Sequence, residues 1–212
     1  MKTIGQTIVL LACGFCAYAQ QWEVGGIGGA SFLNTVSVST PTAGSATAGF
    51  SPGVVLGAFV GQRLNTHWSG ELRYEFFDTN LKLSGDGSSA SFSGLAHAIH
   101  YDLIYHTGRR DSRTQFFVAA GGGMKVFVGT GLQEAVQPLS QFGYFTQTHQ
   151  VKAMASVGGG LTYKLTDKLS FRAEIRDFIS AFPTNVIAAP PGVTYGKVLE
   201  NIVPMVGICY LF

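Results

Sequence analysis

The chain has 212 residues, a formal net charge of +2, 12% charged residues, 12% aromatics and 28 glycines. That length bounds the fold to one domain or two small ones, and the charged fraction is about half that of an average soluble domain. So small a net charge, with no basic run, excludes nucleic acid as a partner.

Residues 1–19 read as a secretory signal. Lys2 gives the positive start, Ile8 to Ala19 is an apolar run, and Ala17-Tyr18-Ala19 is an A-x-A cleavage site. The mature chain is expected to begin at Gln20. Two rival readings exist: an uncleaved anchor, for which the run falls short of the ~20 residues of a spanning helix, and lipid attachment at Cys13, where LLAC resembles a lipobox. Cys13 and Cys16 leave with the leader, so Cys209 stands alone and neither a disulfide nor a Cys-x-x-Cys metal site is expected. No cofactor is expected either.

After the leader no apolar run reaches 18 residues, which excludes helical membrane spans. What recurs instead is alternation at the period of a strand. In the first segment, Gln21 to Leu33, Trp22, Val24, Gly26, Gly28, Ala30 and Phe32 share one face, and Glu23 and Ser31 the other. The second, Gly53 to Leu64, puts Val54, Leu56, Ala58 and Val60 together. The third, Trp68 to Lys82, sets Gly70, Leu72, Tyr74 and Phe76 against Ser69, Glu71, Arg73 and Glu75. The fourth, Ser91 to Tyr105, turns Leu95, Ile99, Tyr101, Leu103 and Tyr105 outward and Ala96, Ala98, His100 and Asp102 inward.

The fifth, Gln115 to Val128, has Phe116, Val118, Ala120, Met124, Val126 and Val128 outward and Lys125 inward. The sixth, Gln150 to Leu165, has Val157, Leu161 and Tyr163 outward and Lys152, Ser156, Thr162 and Lys164 inward. The seventh, Leu169 to Ile179, opposes Leu169, Phe171, Ala173 and Ile175 to Arg172, Glu174 and Arg176. The eighth, Asn201 to Phe212, places Ile202, Pro204, Val206, Ile208, Tyr210 and Phe212 on one face. Connections alternate between long and short, with an Asp86-Gly87 hairpin tip between the third and fourth segments. Segments of about ten alternating residues joined this way are the signature of a transmembrane barrel.

The terminal NIVPMVGICYLF resembles the last strand of bacterial outer-membrane barrels, which ends on Phe and is read by the assembly machinery. That resemblance assigns the assembly signal to Ile208, Tyr210 and Phe212. The whole mature chain resembles the OmpA-type family of small outer-membrane barrels, most clearly at the YLF end, at GELRYEF (Gly70 to Phe76) and at FRAEIRD (Phe171 to Asp177). The resemblance implies an all-β, eight-stranded antiparallel transmembrane up-and-down barrel over residues 20–212, in the outer membrane of a Gram-negative-type bacterium. It also implies outer-membrane lipid, lipopolysaccharide and the barrel-assembly machinery as partners. The family's peptidoglycan-binding domain is not expected here.

The charges Glu23, Glu71, Arg73, Glu75, Lys125, Arg172, Glu174 and Arg176 are the main candidates for a site. Facing lipid, each would cost about 2–4 kcal/mol near the midplane, so all are assigned to the lumen. An eight-stranded barrel has room inside only for side chains, and mixed signs favour pairing. A plug of paired ions is therefore expected; a narrow or gated pore, or a carboxylate acid–base pair, are the rivals. His100, Asp102 and His106 share a face but stand about 7 Å apart per two residues, which suits polar lumen groups better than a metal site. His97 falls on the lipid face, either near the outer rim or through a one-residue register slip.

A lipid A-modifying enzyme would need a paired Ser and His. No such pair is evident on a strand, and Ser156 and Ser170 have no evident partner, so no enzyme is expected. The Gly runs at 25–29, 121–123 and 158–160 lack the Lys-Ser/Thr of a phosphate loop and are assigned to barrel curvature and packing against aromatics. The reading is a structural or surface-interaction barrel with four extracellular loops, whose ligand the sequence does not name. The apolar loop stretch Val186-Ile187-Ala188-Ala189 is compatible with contact to such a partner. Mass spectrometry of the mature protein is expected to place its N-terminus at Gln20; an N-terminus at Met1, or a lipid on Cys13, selects one of the rival leaders.

Overall fold

A computed structural model of the chain describes residues 21–40, 44, 46–85, 87–108, 112–129 and 137–212. The expected leader, with Cys13 and Cys16, and Asp86 of the hairpin tip lie outside the described residues. Thirteen strands occur among the described residues: β1 (Trp22–Leu33), β2 (Val36–Ser39), β3 (Ala46–Phe50), β4 (Gly53–Arg63), β5 (Trp68–Gly85), β6 (Ser88–Thr107), β7 (Thr114–Gly129), β8 (Tyr144–Phe145), β9 (His149–Lys164), β10 (Leu169–Ala181), β11 (Ile187–Ala188), β12 (Thr194–Tyr195) and β13 (Val198–Leu211).

Eight of these strands form a ring. Following the chain, β1, β4, β5, β6, β7, β9, β10 and β13 each pair antiparallel with the next. β13 then pairs back onto β1, with Val24 opposite Tyr210 and Gly28 opposite Val206. The Phe212 amide donates to the Trp22 carbonyl at 2.9 Å, so the last residue is stitched to the first strand. Closure leaves the wall without an edge. The eight expected segments coincide with these strands, although β5, β6 and β13 run several residues further.

Side chains alternate across the wall as expected. Trp22, Leu56, Leu72, Ile99, Phe116, Val157, Ile175 and Val206 are exposed, while Glu71, Arg73, Glu75, Asp102 and Arg176 are fully buried. An apolar surface running round a whole protein is unsuited to water and matches the outer wall of a membrane barrel. His97 is on the outside: its Nδ1 lies 2.7 Å from the Tyr74 hydroxyl and its ring packs on Phe76. The β6–β7 register is continuous from Gly94 to Thr107, so there is no slip.

The two ends of the barrel differ. One carries the short connections 64–67, 108–113 and 165–168 and is called the turn end. At the other, the loop end, the described parts of the connections pair into short strands. β3 adds to the upper part of β5, β2 to β3, and β12 to β2, while β8 and β11 form a separate ladder. They enclose a small apolar core of Val38, Leu83, Phe142, Phe145, Phe182 and Val186. Here a sequence-based expectation is corrected. Val186 and Ile187 are fully buried beneath the cap, not presented to a partner, because their pairing to Phe145 and Thr146 folds the loop inward.

The Tyr195 hydroxyl locks this cap, lying 2.9 Å from the Phe142 carbonyl and 3.1 Å from that of Ala188. Burial pushes its phenol well above the usual tyrosine range. Replacing outward-facing Leu72 or Val206 by Arg is expected to destabilise the barrel by about 2–4 kcal/mol. Equilibrium urea unfolding in phospholipid vesicles measures this; an unchanged midpoint refutes the outward assignment.

Candidate functional site: an ionic layer inside the barrel

Two strands dominate the barrel interior. β5 and β10 are four steps apart in either direction round the ring, hence diametrically opposed. Every second residue points inward, so β5 presents Glu71, Arg73 and Glu75, and β10 presents Arg172, Glu174 and Arg176. The two triplets have inverted sign order, and the lumen is narrow enough for them to meet across the axis.

Arg73 is central. It donates from Nε to Glu71 Oε1 at 2.8 Å and from Nη1 to Glu75 Oε1 at 3.3 Å. Across the barrel it donates from Nη1 to Glu174 Oε1 and from Nη2 to Glu174 Oε2. Arg172 reaches back from Nη1 to Glu71 Oε2 at 2.7 Å and from Nε to Glu174 Oε2 at 3.1 Å. Glu23 is at the margin, 3.7 Å from Arg172 and only partly buried.

Arg176 joins β10 to β6, donating from Nη1 to Asp102 Oδ2 at 2.5 Å, and lies 3.4 Å from Glu174 Oε2. His100 Nδ1 is 3.1 Å from Asp102 Oδ1, and its Nε2 is 3.5 Å from Glu75 Oε2. Asp102 is thus a full member of the cluster. The inward parity of strand four already indicated its side, but not its partner. Lys125 is held differently: its ammonium sits 4.0 Å above the Phe77 ring centroid and 5.4 Å from that of Phe127. Both rings offer a negative π-face.

Glycines on the neighbouring strands provide the space. A Cβ at Gly121 would lie 2.3 Å from Asp102 Oδ1, and one at Gly158 2.6 Å from Arg176 Cδ. Packing against an aromatic, as expected of the Gly runs, occurs at Gly25, where a Cβ would lie 2.4 Å from Phe59. At 121 and 158 the neighbours are the charged side chains together with the Tyr101 and Ile175 carbonyls.

Below this layer, at the turn end, Ser69 Oγ lies 2.8 Å from His106 Nε2. The expectation denied such a pair only within one strand; this one forms between β5 and β6. The residues are 37 apart in sequence and meet only through the β5–β6 register. Ile208 and Tyr210, expected above to carry an assembly signal, are on the outer wall, and Phe212 follows them, exposed, with its ring 5.0 Å from that of Tyr210.

A closed antiparallel ring, apolar outside and ionic within, defines a membrane-spanning β-barrel. The chain belongs to the family described as outer membrane protein beta-barrel domain, whose model matches residues 7–188. The fold is similar to that of Neisserial surface protein A, at 14% identity and a TM-score of 0.59, covering 92% of this chain and 100% of that one. It is also similar to a major outer membrane protein from Thermus thermophilus, at 14% identity and a TM-score of 0.54, again covering 92% and 100%. The N-terminal barrel of Pseudomonas aeruginosa OprF aligns at 16% identity and a TM-score of 0.48, covering 91% and 97%. No curated protein matches the sequence. The protein is accordingly one of the outer membrane of a Gram-negative-type bacterium.

Arg176→Met strips three buried carboxylates, Glu71, Asp102 and Glu174, of a partner and is expected to destabilise the barrel by about 3–5 kcal/mol. Lys125→Met keeps a chain of similar size over the same rings and is expected to cost under about 1.5 kcal/mol. Urea unfolding of both variants checks the difference; equal losses would mean that the layer is not a paired unit.

Proposed function

We propose that this protein is a non-enzymatic structural or surface-interaction barrel whose lumen is closed by its own side chains. The observation that carries this reading is the contact of Glu71-Arg73-Glu75 with Arg172-Glu174-Arg176 across the axis. The folded cap at the loop end supports it. In this reading the loop end faces outward and the turn end the periplasm. Lipid and lipopolysaccharide surround the wall, and the assembly machinery reads Ile208, Tyr210 and Phe212 during insertion. Export by the leader belongs to the same reading, and any external ligand meets the outer surface of the cap.

A small channel is the main rival, and a lipid A-modifying enzyme the other. Ser69 and His106 do not favour the latter, because both point into the lumen, away from acyl chains. Purified protein in planar bilayers is expected to give no stable open level. A stable level that disappears on substituting Arg73 or Arg176 overturns the closed-lumen reading. Lipid A mass spectra are expected to be identical with and without the protein.

A further inference from the structure

The turn end holds a polar chamber that the ionic layer does not use. Its volume is about 180 Å³, and Glu23, Arg63, Ser69, His106, Gln115 and Thr162 are in its lining. Ser69 and His106 are 5% and 7% exposed. With Nε2 held by Ser69, His106 Nδ1 has no hydrogen-bond partner.

Counting protons shows what is missing. If the Ser69 hydroxyl donates to Nε2, the ring proton is on Nδ1 and has no acceptor. If Nε2–H donates instead, the hydroxyl proton of Ser69 is left over. Either tautomer leaves one buried donor in want of an acceptor, a costly state unless a ligand or water fills it.

The electrostatic surroundings favour a negative acceptor. The Arg63 guanidinium, which donates to Gln115 Oε1 at 3.3 Å, and Lys164 belong to the same lining. Of the two acids among the described lining residues, Glu23 is within ion-pair distance of Arg172, and Asp167 is exposed on the 165–168 turn.

We propose that this chamber is a binding site for a small oxyanion, a carboxylate or a phosphate group. Whichever of the Ser69 hydroxyl and His106 Nδ1 carries the free proton is its direct donor, and Arg63 and Lys164 supply the attracting field. The site does not depend on whether the lumen above it conducts. Only its assignment to the periplasmic face rests on the orientation proposed above.

The test is imidazole NMR of the refolded full-length mature protein in detergent micelles, with the His106 signal assigned through its loss in His106→Gln. Sodium acetate and inorganic phosphate are titrated separately, with sodium chloride at matched ionic strength as the control. A saturable shift of the His106 signal by acetate or phosphate below about 10 mM, without one from chloride, supports the site. Which of the two acts identifies the group. Ser69→Ala is expected to weaken that binding about tenfold or more, and Ser69→Thr, which keeps the hydroxyl, to retain it. Heat-modifiable gel mobility verifies that each variant has folded, and if Ser69→Ala fails this check the wild-type titration decides alone. No saturable shift, or an equal shift with chloride, overturns the proposal.

Discussion

The interior of this barrel depends on charges that have no access to bulk water and must satisfy one another. A carboxylate or guanidinium in such a place is tolerated only when its partner is close and well aligned. The chain meets that condition with two short triplets of opposite order on strands that face each other across the axis. Each arginine touches at least two carboxylates, and Glu174 touches all three arginines. Removing any one member strands several others, so the layer behaves as a unit.

Space is the second condition. Three arginines and five acids fit within eight strands only because the wall behind them is thinned. Gly121, Gly123, Gly158 and Gly160 lie on β7 and β9, opposite His100, Asp102, Glu174 and Arg176 of the neighbouring strands. A methyl group at these positions would collide with those side chains or with the adjacent backbone. Phe59 and Phe117 complete the packing by offering their faces to Arg172, at 4.8 and 4.4 Å from ring centroid to guanidinium carbon. The interior is therefore a close-packed core made of ionic and aromatic groups together.

Above this layer the protein changes character. The strands of the β5–β6 hairpin continue past the apolar belt, and their inner faces carry Phe77, Leu81, Leu83, Ala90 and Ala96 instead of charges. That apolar face gives the loop-end segments something to fold against, and β2, β3 and β12 extend the sheet from it. The result is a cap stacked on the ionic layer and held together internally by the Tyr195 hydroxyl and by the Gln137 side chain, which bridges the Phe145 amide and carbonyl. Below the layer, the chamber at the turn end leaves polar groups of the interior open to a guest.

Much of this was legible from residue order alone. A period of two, read along β5 or β13, states which side chains meet lipid, because in a closed wall every second residue has no other choice. Alternating loop lengths indicated strand number and direction, and the inward assignments of Glu71, Arg73, Glu75, Arg172, Glu174 and Arg176 follow from the same period. What periodicity leaves open is who touches whom. The pairing of Arg73 with Glu174, of Arg176 with Asp102, and of Ser69 with His106 depends on register and on distance across the lumen, which are properties of the closed ring. The burial of Val186 and Ile187 was invisible for a related reason: an irregular segment carries no period, and only the apolar hairpin face it packs against decides which way it turns.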